Sequence, residues 1–311
     1  MKILFVTEIP EEKKQCFTDL AGEDITFASR KEVTDAQLME AEVIMGNVPP
    51  ARLTGCTKLK WLQLDSAGAD AYAKLPGDFV LTNASGAYGP AISEYMLACM
   101  LRTLKKLDDY EDLQKSHDWV NLGSVRTISQ LHVLCLGMGD IGTHFAKKVK
   151  ALGAHVIGVR RHIRELPEGF DEQYEIQDLE KLLPEADVIA MSLPQTPDTI
   201  HIMNKEHLAL TKPGSILINV GRGSAIDETA LIPLQKNDHF AGVCLDVFEH
   251  EPLPKNNPLW NLPHTLCTPH IAGRFNAEVT YDRVLSIFAD NLKRYLAGEP
   301  LHHTVDRKLG Y

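Results

Sequence analysis

Arg222, Glu251 and His270 are the residues of this chain whose types suit chemistry on a carbonyl. Each follows a short apolar run: Asn219-Val220-Gly221-Arg222-Gly223 after one, Leu245-Asp246-Val247-Phe248-Glu249-His250-Glu251-Pro252 after the next, and Thr268-Pro269-His270-Ile271-Ala272-Gly273 after a third. A histidine titrates near neutrality when unperturbed, so it can exchange a proton with a carbonyl oxygen. A carboxylate beside it would hold the ring and favour its protonated form. An arginine can bind a substrate carboxylate and polarise the adjacent carbonyl. Beside a hydride donor, these are the parts that reduction of a keto acid requires. Each also has a plainer reading: Arg222 as a turn cap, Glu251 as a solvated loop charge, His270 as a satisfied core histidine. All three at strand ends behind a nucleotide-binding motif argue for chemistry.

That motif runs from Leu131 to Gly142. Leu131, Val133, Leu134, Cys135 and Leu136 read as a buried strand, and Gly137-Met138-Gly139-Asp140-Ile141-Gly142 supplies glycines at all three GxGxxG positions before a helical stretch. Strand, glycine turn and helix together would place a dinucleotide pyrophosphate at the helix N-terminus. A second strand, His155 to Val159, ends at Arg160-Arg161. An Asp or Glu there would hold a ribose 2′-hydroxyl, whereas a guanidinium suits a 2′-phosphate, so the sequence points to NADP over NAD. The plainer alternative is a solvated basic turn paired with Glu165.

Short apolar runs at Ile3–Val6, Phe27, Val43–Met45, Leu59–Leu64 and Phe79–Leu81 alternate with polar helical stretches, the rhythm of βαβ units. Small residues in Leu64-Asp65-Ser66-Ala67-Gly68-Ala69-Asp70 make that loop a candidate carboxylate grip or a simple connecting turn. One long helix is expected from Pro90 to Asp108-Asp109, and a polar segment with Trp119, Gly123 and Arg126 follows. Later strands are expected at Val188–Met191, Ile216–Val220 and Gly242–Val247. Asn204 and Asp227 are expected helix caps, and Pro233 should kink or stop the second of those helices. A last helix is expected from near Asn276 to Gly298, with Val279, Val284, Ile287, Phe288, Leu292 and Leu296 on its apolar face.

With 311 residues, 44% hydrophobic and 24% charged, the chain has the composition of a soluble globular protein of two domains. A formal net charge of −10 argues against a nucleic-acid partner. No apolar stretch approaches a membrane span, and the N-terminus reads as a buried strand rather than a signal peptide. The six cysteines form no CxxC pair, so a cytoplasmic protein is expected, without a metal site.

The ordered set GMGDIG, NVGRG, LDVFEHEP and TPHIAG resembles the D-isomer-specific 2-hydroxyacid dehydrogenase family over nearly the whole chain. Arg222 and Glu251 lie 29 positions apart and Glu251 and His270 lie 19 apart, as in that family's pattern. The resemblance implies two Rossmann-like, flavodoxin-like parallel-sheet domains with a cleft between them, at 1–98 plus 280–311 for substrate and 99–279 for the dinucleotide. It also implies that the chain crosses twice between the domains and that the cofactor domains build a homodimer. Arg222 would bind substrate, Glu251 would pair with His270, and His270 would be the acid/base. Ala67 and Gly68, within Ser66-Ala67-Gly68 and Asp70, would hold the substrate carboxylate. Apart from the resemblance, Tyr88, Trp61 and a partner's Trp119 are candidates for setting the width of the pocket. Cofactor contacts would come from the six residues Gly137 to Gly142, from Arg160 and Arg161, and from Leu193, Pro194, Thr199, Val220, Gly221, Arg222, Asp246, His270 and Gly273. Asp246 and the backbone near Val220 would take the nicotinamide carboxamide.

Within the family, the two arginines and the closing Val305-Asp306-Arg307-Lys308-Leu309-Gly310-Tyr311 are similar to NADPH-using glyoxylate and hydroxypyruvate reductases. Two departures stand out: Gln130-Leu131-His132 before the cofactor strand, and Asp140, which would repel phosphate if it turned inward. The alternatives are an NAD-linked D-2-hydroxyacid or phosphoglycerate-type dehydrogenase, and a nucleotide-sensing corepressor-like protein that shares the scaffold.

Overall fold

Strand-length apolar runs separated by helical stretches produce two all-parallel sheets with helices, an α/β fold of two Rossmann-like units. The computed structural model describes residues 1–273, 275 and 277–310; the expected helix start at Asn276 and the terminal Tyr311 lie outside them. One compact unit comprises Met1–Tyr88 and Ala277–Tyr311, the other Gly89–Asn276. The working boundary near Cys99 falls inside the Gly89–Leu104 helix, which belongs whole to the second unit.

In the first unit β1 (Ile3–Phe5), β2 (Ile25–Phe27), β3 (Val43–Met45), β4 (Trp61–Gln63) and β5 (Val80–Thr82) pair in the order β2-β1-β3-β4-β5. β1, β3 and β4 are buried throughout, as strands covered on both faces must be. The Glu278–Ala297 helix joins this unit through ring contacts and a buried polar network. Phe288 meets Phe5 edge-on at 5.6 Å, and Tyr295 stacks on Trp61 at 5.0 Å. Asn291 Nδ2 donates to Gln63 Oε1 (2.8 Å), which also accepts from Thr82 Oγ1. Gly298 closes this helix in the left-handed conformation (φ 70). Val284, Phe288 and Leu292, expected on its apolar face, are buried, joined by Leu285, whereas Val279 and Leu296 are exposed at 46% and 42%.

In the second unit β6 (His132–Leu136), β7 (His155–Arg160), β8 (Glu172–Glu175), β9 (Val188–Met191), β10 (Ile216–Asn219), β11 (Gly242–Leu245) and β12 (Thr265–Cys267) pair in the order β12-β11-β10-β9-β6-β7-β8. The strand order reverses direction at β6, so the glycine turn that follows β6 sits at the switch point where open α/β sheets bind ligands. The third glycine of the turn is required by close approach. A Cβ on Gly142 would lie 2.0 Å from the Gly137 carbonyl oxygen.

Two expectations about elements are corrected, and one strand has no counterpart in the sequence reading. The long helix ends at Leu104, because Lys106 takes a left-handed φ of 53, and a separate helix runs from Leu107 to Ser116. Pro233 neither stops nor shortens its helix, which runs from Glu228 to Lys236 with Asp227 capping its first turn. β8, sequence Glu-Gln-Tyr-Glu, carries no apolar signal because it is a half-exposed edge strand. Asn204 caps its helix as expected, accepting from the His207 N–H. Among the described residues all six cysteines are free thiols, no helix is long and apolar enough to cross a membrane, and no acidic, histidine or cysteine cluster could hold a metal ion.

Candidate active site

Three neighbouring parallel strands, β10, β11 and β12, end in the loops that carry Arg222, Glu251 and His270. Asn219, at the end of β10, braces the first loop: its Oδ1 accepts from the Gly221 N–H (3.1 Å) and its Nδ2 donates to the Arg222 carbonyl (2.9 Å). Arg222 is half-buried in an extended conformation and donates from Nη1 to the Gly221 carbonyl at 2.9 Å. The next residue has to be glycine, because a Cβ on Gly223 would fall 1.9 Å from the Phe248 carbonyl carbon. The Arg222 loop therefore packs directly on the loop that carries Glu251.

The Glu251 carboxylate is fixed at both oxygens. Oε1 accepts from the Phe248 N–H (3.1 Å) and Oε2 lies 2.9 Å from His270 Nδ1. A carboxylate can only accept, so this contact places the proton on Nδ1 and leaves Nε2 as the atom that exchanges with a substrate. Both side chains are open to solvent, at 44% for His270 and 37% for Glu251, as groups that meet a soluble substrate must be.

Asp246, at the end of β11, is buried. Its Oδ1 accepts from Thr268 Oγ1 (2.6 Å) and the Ile271 N–H (2.8 Å), and its Oδ2 from the Ala272 N–H (2.9 Å). A carboxylate offers about four lone-pair positions, so about one is left for a nicotinamide carboxamide.

The glycine turn fits a dinucleotide. No side chain caps the Asp140–Ala151 helix at Gly139, and a Cβ on Gly139 would meet nothing within 4 Å, so open space adjoins the helix N-terminus. Asp140 is turned away from this space: its Oδ2 accepts from the Gly89 N–H at 2.7 Å, and its Oδ1 lies 3.1 Å from His144 Nδ1. Leu193 is buried beyond β9, and the Thr199 hydroxyl is engaged within its own turn, donating to the Pro194 carbonyl at 2.6 Å.

Beyond β7 the arginines divide. Arg161 pairs with Asp198 at 3.0 Å. Arg160 has no acidic partner among the described residues, and burial, then the charge of Arg164, lowers its pKa below the ordinary value. A guanidinium without an acidic partner among the described residues suits an incoming anion.

In the first unit the loop after β4 is tied down by its carbonyls. Tyr88 donates to the Asp65 carbonyl, Asn83 Nδ2 to that of Ala67 (2.7 Å) and Ser66 Oγ to that of Gly68 (2.7 Å). The Ala67 and Gly68 N–H groups make no hydrogen bond among the described residues, which leaves them available to an anion. Asp65 is buried against Thr7 Oγ1 (2.7 Å) and Arg30. Asn47 fixes the loop from β3, accepting from the Asp65 N–H (3.0 Å). Burial pushes the Tyr88 phenol pKa well up, so it remains a donor.

Sequence reasoning missed Asn219, Phe248, Thr268, Asn47, Asn83 and Arg30. Asn219 and Asn83, polar residues at the ends of otherwise apolar strands, carried a signal; the Phe248 backbone carried none.

Residues 97–272 match the family described as D-isomer specific 2-hydroxyacid dehydrogenase, NAD binding domain. A glyoxylate/hydroxypyruvate reductase B of Serratia proteamaculans is 30% identical over 97% of this chain and 95% of its own length. An NADPH-dependent glyoxylate/hydroxypyruvate reductase from Sinorhizobium meliloti, solved with NADP and sulfate, superposes with a TM-score of 0.85 at 28% identity, covering all of both chains. A D-lactate dehydrogenase from Aquifex aeolicus, solved with NAD and lactic acid, reaches 0.77 at 25% identity over 96% of each chain.

Proposed function

This chain belongs to the D-isomer specific 2-hydroxyacid dehydrogenase family, and from that premise we propose that it reduces a small 2-keto acid such as glyoxylate or hydroxypyruvate at the expense of NADPH. One observation supports this above the others: a strand-end histidine whose Nδ1 is held by a carboxylate that is itself held by a backbone N–H, behind a glycine turn at the sheet's switch point.

In this scheme the Arg222 guanidinium would bind the substrate carboxylate, and the free Ala67 and Gly68 amides are proposed separately as an anion grip within their own loop. Arg222 also polarises the carbonyl. His270 donates the proton on Nε2 to the carbonyl oxygen, and Glu251 keeps the ring oriented while it does so. Residues Gly137 to Gly142 would hold the pyrophosphate, Asp246 and the backbone near Val220 the carboxamide, and Arg160 with Arg161 the 2′-phosphate. The bound dinucleotide supplies the hydride.

A second reading, NAD-linked turnover, is favoured by the Arg161–Asp198 pair, because a neutralised guanidinium attracts phosphate less strongly. The family's homodimer is part of the same proposal. Trp119 is fully exposed at 103% and Val120 at 53%, which suits a partner's surface, and sedimentation velocity at twice the monomer mass checks it. The free thiols suit a cytoplasmic setting.

The deciding experiment compares initial rates of NADPH and NADH oxidation with glyoxylate, hydroxypyruvate, pyruvate and bulkier 2-keto acids. Faster turnover with NADPH is expected, with a loss of about 10²- to 10⁴-fold in His270→Ala, the usual weight of a general acid. Preference for NADH overturns the cofactor assignment. Binding of either cofactor without turnover points to a nucleotide sensor.

A further inference from the structure

We propose that Tyr95 and Thr268 are positioning residues for His270, acting through Asp246 by a one-way chain of hydrogen bonds. The proposal rests on the reductase reading above for its catalytic consequence, though not for its geometry.

The direction of the chain follows from the donors. Thr268 Oγ1 lies 2.6 Å from Asp246 Oδ1 and 2.6 Å from the Tyr95 hydroxyl oxygen. The carboxylate cannot donate, so the single Thr268 proton points to Asp246. The Tyr95 hydroxyl must then be the donor to Thr268. Burial raises the Tyr95 phenol pKa far above its ordinary value, so this donor persists across the working pH range.

Thr268, Ile271 and Ala272 all bind the same buried carboxylate, so the turn they share is wrapped around Asp246 with His270 between the tethers. The His270 N–H donates back to the Thr268 carbonyl at 2.9 Å, and His270 sits at a φ of 52. Histidine is among the non-glycine residues that enter this left-handed region more readily, and here the three tethers to Asp246 on either side hold the turn in it. Tyr95, on the Gly89–Leu104 helix, fixes from a separate element the hydroxyl that orients Asp246. The chain thus links a helix side chain to the imidazole that exchanges the proton, without touching substrate.

Two measurements on the full-length protein test this. The first is steady-state kinetics of Tyr95→Phe, Thr268→Val and Thr268→Ser, with NADPH affinity followed by fluorescence titration. The second is amide hydrogen exchange at Ile271 and Ala272 in the absence of substrate. Because small misplacements of a reacting group are costly, Thr268→Val should lose about tenfold or more in kcat and Tyr95→Phe about threefold, in each case more than the loss of NADPH affinity, which Asp246 also serves. Thr268→Ser, which keeps the hydroxyl, should recover most of the rate. Exchange at Ile271 and Ala272 should quicken about tenfold in Thr268→Val, while amides within β6 stay unchanged.

Unchanged exchange together with unchanged kcat in both Tyr95→Phe and Thr268→Val overturns the proposal. So does a fall in melting temperature with kcat intact, which would mark a purely structural contact. If the wild-type protein turns over no keto acid yet exchange at Ile271 and Ala272 still quickens, the chain of bonds stands and the reductase reading fails.

Discussion

Glu251 shows how a single side chain converts a loop into a site. Its two oxygens are taken by different partners, the Phe248 N–H and His270 Nδ1, so the imidazole inherits its orientation from backbone. Glu251→Gln keeps the size of the side chain but offers only one accepting oxygen for the two donors. It should lower kcat about 10- to 10²-fold with NADPH affinity unchanged, a split that stopped-flow rates and fluorescence titration would resolve. An unchanged kcat would mean that the contact holds the loop and nothing more. The placement of Arg222, Glu251 and His270 at neighbouring strand ends was legible in the sequence, because each follows an apolar run. Their bracing was not legible. Phe248 acts through its backbone, and Thr268 meets Tyr95 across 173 positions of sequence, a pairing that only the fold creates.

At the scale of elements, the glycine turn separates two roles that one motif usually merges. A methyl group on Gly142 collides with the Gly137 carbonyl, whereas one on Gly139 meets no protein atom within 4 Å. Gly142→Ala should therefore lower both the melting temperature and NADPH affinity, because the helix must move off its strand. Gly139→Ala should leave the melting temperature within about 1–2 °C of wild type, as mutations without steric conflict do, while weakening NADPH binding about tenfold or more. Differential scanning fluorimetry with and without NADPH distinguishes the two; equal loss of stability in both variants would contradict the open space at Gly139. Elements with strong apolar periodicity were readable, including β6, β9 and the closing helix. Those that failed lack such a signal. β8 is polar on both faces at a sheet edge, and the break at Lys106 depends on one left-handed residue that no composition marks. The Glu228–Lys236 helix passes through Pro233, where tertiary packing of Leu231 and Gln235 outweighs one missing backbone donor.

At the scale of the whole molecule, the two units differ in how the chain builds them. The first needs both ends of the sequence: the Glu278–Ala297 helix covers β1 and β4 through Phe288 and Tyr295, and Val305 bonds back to Leu81. The second, Gly89–Asn276, is one uninterrupted segment with its own seven-stranded sheet and its own apolar core around Leu136, Ile189, Leu217 and Val243. A contiguous segment with a complete core can fold by itself. Expressed alone, Gly89–Asn276 should melt in a single cooperative transition and bind NADPH within about tenfold of the full chain, because the glycine turn, Arg160 and Asp246 all lie within it. Circular dichroism melting and fluorescence titration on this segment check the two expectations in turn, and a broad, non-cooperative melt would mean that its core is not complete by itself.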